Sequence, residues 1–163
     1  MNENVTPLGL KWHKFMIYFS LWIGAVVCVV WSITFFTGSV YGKVGRRFYQ
    51  IFPAMQWVDI AYGAVLIAIA VYHIYTRFQL AGFRKDASRK LTIMYVAMIV
   101  AAAAYTLCSA VILTVQLIKL GYPDDAEKIW GFVGQSFWQL LPTLIMLLVN
   151  KKYYGKRKDL FVN

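Results

Sequence analysis

The chain has 163 residues, 60% of them hydrophobic and 15% charged, with a formal net charge of +10. A soluble domain carries about 25% charge, so an ordinary water-soluble globular fold is excluded. The charge excess is not that of a nucleic-acid binder either, because no recognition module accompanies it and its placement follows membrane-flanking segments.

Four unbroken apolar blocks run along the chain, each meeting the roughly 20 residues that a helix needs to cross a hydrocarbon core. The first, Phe15–Phe36, follows Lys11, His13 and Lys14. It is too long for the apolar part of a signal peptide and has no A-x-A cleavage site, so it is expected to persist as a helix. The connection from Thr37 to Gln56 carries Gly38, Gly42, Gly45 and Pro53. Its aromatics, Tyr41, Phe48, Tyr49 and Phe52, predict a segment lying on the membrane surface. The second block is Trp57–Tyr75, and the third, Leu91–Ile118, is long enough to tilt or project. A turn at Tyr122-Pro123-Asp124-Asp125 leads into the fourth, Ile129–Val149, whose helix start those acidic residues complement. No linker divides the chain. Residues 1–163 read as one all-α domain, an integral membrane four-helix bundle.

Twelve of the seventeen basic residues flank the same ends of these blocks: Lys11 and Lys14, five between Arg77 and Lys90, and five between Lys151 and Lys158. The other side has Lys43, Arg46, Arg47, Lys119 and Lys128, diluted by Asp124, Asp125 and Glu127. The positive-inside rule places both termini in the cytoplasm, as for a multi-pass plasma-membrane protein. The basic clusters then meet anionic lipid head groups at that face.

The stretch QWVDIAYGAVLIAIAVYHIY, residues 56 to 75, keeps two ionisable groups in an apolar run. At 100° per residue, Asp59, Tyr62, Gly63, Leu66, Ala70, His73 and Arg77 fall on one side, which is expected to face the bundle. Asp59 and His73 are 14 residues apart, about 21 Å along a helix, so they form two separate sites. Arg46 and Arg47 are candidate ion-pair partners for Asp59, tying the outer connection down; capping of the helix start is the plainer alternative. His13 and His73 are expected at similar depth on adjacent antiparallel helices, the geometry of a bis-histidine haem b site. On the fourth block Gly131, Gly134, Gln135, Trp138 and Pro142 share a face, with Gln139 at its edge, reading as a close-packed seam. The sharper expectation is an outward-opening polar pocket lined by Asp59, Tyr62, Gln135, Trp138 and Gln139. Cys28 and Cys108 read as buried small hydrophobes.

There is no Ser-His-Asp set, HExxH, CxxC or Gly-rich phosphate loop, and no metal-ligand cluster. Mid-span positions hold none of the ionisable residues that pumps bury. The expectation is a non-enzymatic membrane protein acting through protein or lipid interaction, in an envelope accessory or sensor role, with a homo-oligomer or another membrane protein as partner. An oligomeric channel or small-solute carrier is the alternative, and a haem-binding redox protein the third reading.

The stretches LKWHKFMIYFSLWIGAV, FPAMQWVDIAYGAVLIAIAVYHIYTRFQLAGFRK and KKYYGKRKDLFVN resemble a group of small four-helix membrane proteins of Gram-positive bacteria. Some of that group carry a zinc ribbon before the first span, and this chain has no cysteine pair there. The resemblance implies a bacterial plasma membrane and supplies no activity.

Overall fold

The computed structural model describes residues 9–157 together with Leu160 and Phe161, apart from the side chains of Phe132 and Gln139. Every regular element among the described residues is helical. The first span is built from α1 (Lys11–Phe15), a π-helical turn (Met16–Ser20) and α2 (Leu21–Thr37). It stops at Gly38, whose φ of 70° is the left-handed conformation that closes many helices and that a Cβ disfavours. A 3-10 turn (Ser39–Val44) and the short α3 (Gly45–Ile51) then cover this end of the bundle. Pro53 opens α4 (Pro53–Ala81), where its missing N–H costs nothing. α5 spans Ala87–Lys119, and Gly121, with φ 86°, turns the chain into α6 (Pro123–Gln139) and α7 (Leu141–Gly155). The break at Leu140 precedes Pro142, which has no amide to donate and crowds the preceding turn.

Four helical stretches are long and apolar enough to cross a membrane: Lys11–Ile51, Pro53–Ala81, Ala87–Lys119 and Pro123–Gly155. They outrun the apolar blocks of the sequence because the polar flanks stay helical. The fourth begins at Pro123, with Asp124 and Asp125 in its first turn instead of beyond it. The connection expected to be a long surface loop is mostly helix.

The buried residues of α2 are Leu21, Ala25, Cys28, Ser32 and Phe35, in steps of four and three. That 3.5-residue period is the seam of a left-handed helix pair. Facing it, α4 buries Gly63, Leu66, Ile69, Ala70 and His73. Small residues bring the two backbones close, and the Ser32 hydroxyl donates to the Gly63 carbonyl at 2.8 Å. α4 packs in turn on α5, and α5 carries both α6 and α7, whereas α2 does not pack along the fourth span.

Those outer spans are joined instead at the end where α1 begins and α7 finishes. Met16, Leu21, Leu80, Leu91, Met94 and Tyr154 form the main core there. The Trp12 indole Nε1 donates to Asn150 Oδ1 at 2.9 Å, and Asn150 Nδ2 donates to the Met146 carbonyl. Arg77 Nε donates to the Ile17 carbonyl inside the π turn, 3.2 Å away, with the rings of Trp22 and Phe78 beside its guanidinium. Asn150→Ala removes one hydrogen-bonded link between the first and fourth spans, leaving those of His13 to Tyr153 and Tyr154, and orphans the indole N–H. The expected loss is about 1–3 kcal/mol in a micellar unfolding titration; an unchanged midpoint would show that the link contributes nothing.

Candidate functional site

Asp59 is fully buried, at 0% exposure. A carboxylate removed from solvent needs donors, and two tyrosines supply them. Tyr49, on α3, donates its hydroxyl to Oδ2 at 2.8 Å, and Tyr105, on α5, donates to Oδ1 at 2.8 Å. The Tyr41 hydroxyl reaches the same group, close to Tyr105 and Asp59. Tyr41 is positioned by stacking on Phe48 with ring centroids 3.9 Å apart. Gly38 accommodates the Tyr49 ring, because a Cβ at Gly38 would lie 2.6 Å from Tyr49 Cε2. The cluster therefore ties the 38–52 segment to α4 and α5.

Arg46 and Arg47 are exposed and make no ion pair with Asp59. The tie that the sequence predicts is present, but hydroxyls make it. The physical reason is burial: two guanidinium groups would have to leave water to reach this carboxylate, whereas phenols bring their own apolar rings.

Below the cluster, a groove of about 310 Å³ lies between the first and fourth spans and is floored by the second and third. That volume is at the lower end of the range for small-molecule sites, about 300–1,000 Å³. Val27 and Trp31, both exposed, stand on the α2 side, and Ser136 and Leu140 on the other. Phe35, Tyr62 and Tyr105 form its aromatic wall. Tyr62 stacks on Tyr105 with centroids 4.3 Å apart, and Phe35 meets both edge-on at 5.0 and 5.2 Å. Tyr105 thus belongs to two places at once, its hydroxyl on Asp59 and its ring on the groove wall.

Of the residues expected in a polar pocket, only part converge. Tyr62 lines the groove, while Asp59 is sealed behind Tyr105. Gln135 is exposed, and Trp138 is 74% exposed. Nothing lies within 4 Å of a Cβ built on Gly131 or Gly134. The face expected to be a seam inside the bundle therefore points away from it, because α6 rests on α5 through Ala126 and Val133 instead. The Gln139 side chain lies outside the described residues.

The two histidines do not meet. His13 is stacked on Phe83 at 4.8 Å, and its Nδ1 is 3.2 Å from the Tyr154 hydroxyl. His73 sets its Nε2–Cδ2 edge against Gly24, with Nδ1 bonded to the Ile69 carbonyl of its own helix at 2.9 Å. Gly24 is 11 residues beyond His13, about 16 Å along a helix. A haem bracketed by this pair within one chain is not what the packing forms, since α4 runs on past His73 to Ala81 before turning. Among the described residues no three His, Cys, Asp or Glu side chains gather as metal ligands. Cys28 is buried on the groove and Cys108 is exposed; both are free thiols.

Tyr49, Tyr105, Thr106 and Ser136 are the site residues that the sequence does not single out for these roles. In the sequence Tyr49 reads as one of several surface aromatics, and Tyr105 and Thr106 as packing. The groove offers an apolar wall with hydroxyl groups set into it, chemistry suited to binding. Compared with known proteins, the chain matches no family model, no curated protein and no solved structure.

Proposed function

We propose that this chain is a non-enzymatic integral membrane protein that holds another component of the membrane in the groove between its first and fourth spans. The observation that carries this reading is the groove itself: about 310 Å³, walled by apolar and aromatic side chains, and placed where the outer spans do not pack on each other. With the four helices crossing a bilayer, such an opening would face acyl chains. The distribution of basic residues supports an orientation with both termini cytoplasmic and the Lys/Arg-rich end on anionic lipid. A bacterial plasma membrane is the location that fits the resemblance noted above.

A second reading rests on a different surface. Gly131 and Gly134 open onto empty space and Gln135 is exposed on a membrane-crossing helix. An amide in hydrocarbon gains from a hydrogen-bonding neighbour, so self-association through α6 follows, and a closed ring of copies would make an oligomeric channel. One spectrum tests both. Native mass spectrometry of protein released from mild detergent is expected to show a bound adduct of lipid mass on each copy. Chains carrying no adduct would count against the groove, and a closed ring of several copies would move the assignment to a channel.

A further inference from the structure

Two hydroxyl groups in the groove are left over by the fold. Among the described residues neither the Tyr62 phenol nor Thr106 Oγ1 makes a hydrogen bond, and both residues line the groove. A helical threonine can return its hydroxyl to its own backbone, as Thr92 does to Ser88; Thr106 does not, and neither do Thr76 and Thr114. The surrounding wall is aromatic: Trp31, Phe35, Tyr62 and Tyr105. Rings of this kind favour a flat partner that stacks or meets them edge-on, and two O–H donors favour a partner that carries acceptor oxygens.

Resting on the reading that the groove holds a membrane component, we infer that its occupant is a ring-headed isoprenoid lipid of the quinone class: a flat carbonyl-bearing ring among these aromatics, accepting from Tyr62 and Thr106, with its tail leaving between the first and fourth spans. A straight acyl chain would fill the apolar space but leave both hydroxyls unanswered. A free polar solute would answer the hydroxyls but not the walls. The assignment is one of binding, with no electron transfer implied.

The test titrates the intact protein in mild detergent with a decyl-substituted benzoquinone, reading tryptophan quenching and thermal stabilisation together. Farnesol and phosphatidylglycerol serve as competitors of the same site. Saturable quinone binding is expected, with farnesol and phosphatidylglycerol at least tenfold weaker. Tyr62→Phe and Thr106→Val each remove one donor with little change of shape. Each is expected to weaken the quinone about fivefold, the worth of roughly one net hydrogen bond, and to leave farnesol unaffected. Ala102→Phe, which fills the groove, is expected to abolish binding of all three. Equal affinity for farnesol and quinone, with both hydroxyl variants neutral, would overturn the ring-headed assignment while leaving the groove intact. Unchanged quinone binding by folded Ala102→Phe would overturn the groove itself. Should that variant not fold, the near-isosteric pair still decides the assignment.

Discussion

Asp59→Ala is expected to be among the most damaging single substitutions in this chain, lowering stability by about 2–6 kcal/mol. The estimate follows from what is left behind. Tyr49 and Tyr105 each give a hydroxyl to this carboxylate at 2.8 Å, and each orphaned buried donor costs about 1–3 kcal/mol. Asp59→Asn keeps an acceptor for one of the two and should cost about half as much. Tyr49→Phe and Tyr105→Phe separate the contributions in a double-mutant cycle with Asp59→Ala. Tyr49→Phe should release the 38–52 segment, visible as faster amide exchange or proteolysis there, while Tyr105→Phe should also disturb the groove. If Asp59→Ala unfolds within about 0.5 kcal/mol of wild type in micelles, the carboxylate is not the anchor of that end.

Gly24→Val is the second large effect. A Cβ at Gly24 would lie 2.6 Å from His73 Nε2 and 2.7 Å from Cδ2, and His73 is held in place by its bond to the Ile69 carbonyl. The imidazole has nowhere to go, so the first and second spans must separate. Overpacking of this kind costs about 1–3 kcal/mol, and a branched side chain adds to the Cβ clash. Combining Gly24→Val with His73→Ala should recover most of the loss, a rescue that a purely conformational effect of losing glycine would not produce. Gly63→Ala is the contrast. The nearest atoms to its Cβ would be those of the Phe36 ring, at 2.9 Å, and Phe36 is 46% exposed and free to swing out. Near-neutral Gly63→Ala beside damaging Gly24→Val, both followed by thermal unfolding, is the expected pattern; equal costs would mean that glycine flexibility and not the histidine sets the requirement.

The spans were legible in the sequence because a membrane-crossing helix is a statement about length and apolarity, and both are local. The inward side of the second span was legible too: Asp59, Gly63, Leu66, Ala70 and His73 recur at helical spacing, and all are buried. What the sequence could not convey was which side of the fourth span faces in. Glycines and a glutamine on one face read equally as an internal seam or as an external one, and α6 turns that face outward. Partners far apart in the chain were hidden for the same reason. Asp59 meets residues 10 and 46 positions away, and no periodicity connects a tyrosine in a surface helix with one in the third span. Electrostatics favoured Arg46 and Arg47 as partners on charge alone, and the cost of burying a guanidinium decided otherwise. The depth of the histidines was hidden too: the first helix starts at Lys11, ahead of its apolar block, and His13 lies beside Phe83, beyond the end of α4.

That early start also explains the π turn at Met16–Ser20. His13, Ile17, Leu21 and Ala25 are all buried, yet each is four positions from the next. On a regular α-helix that spacing drifts about 40° per step and would carry the first and last of them to different sides. A wider turn holds one extra residue per coil and absorbs the drift. Geometrically, the turn lodges one extra residue by underwinding instead of by a loop. Deleting one residue here would restore a regular helix and forfeit the shared register of His13 and Gly24, so the length of this stretch sets which side chains face inward.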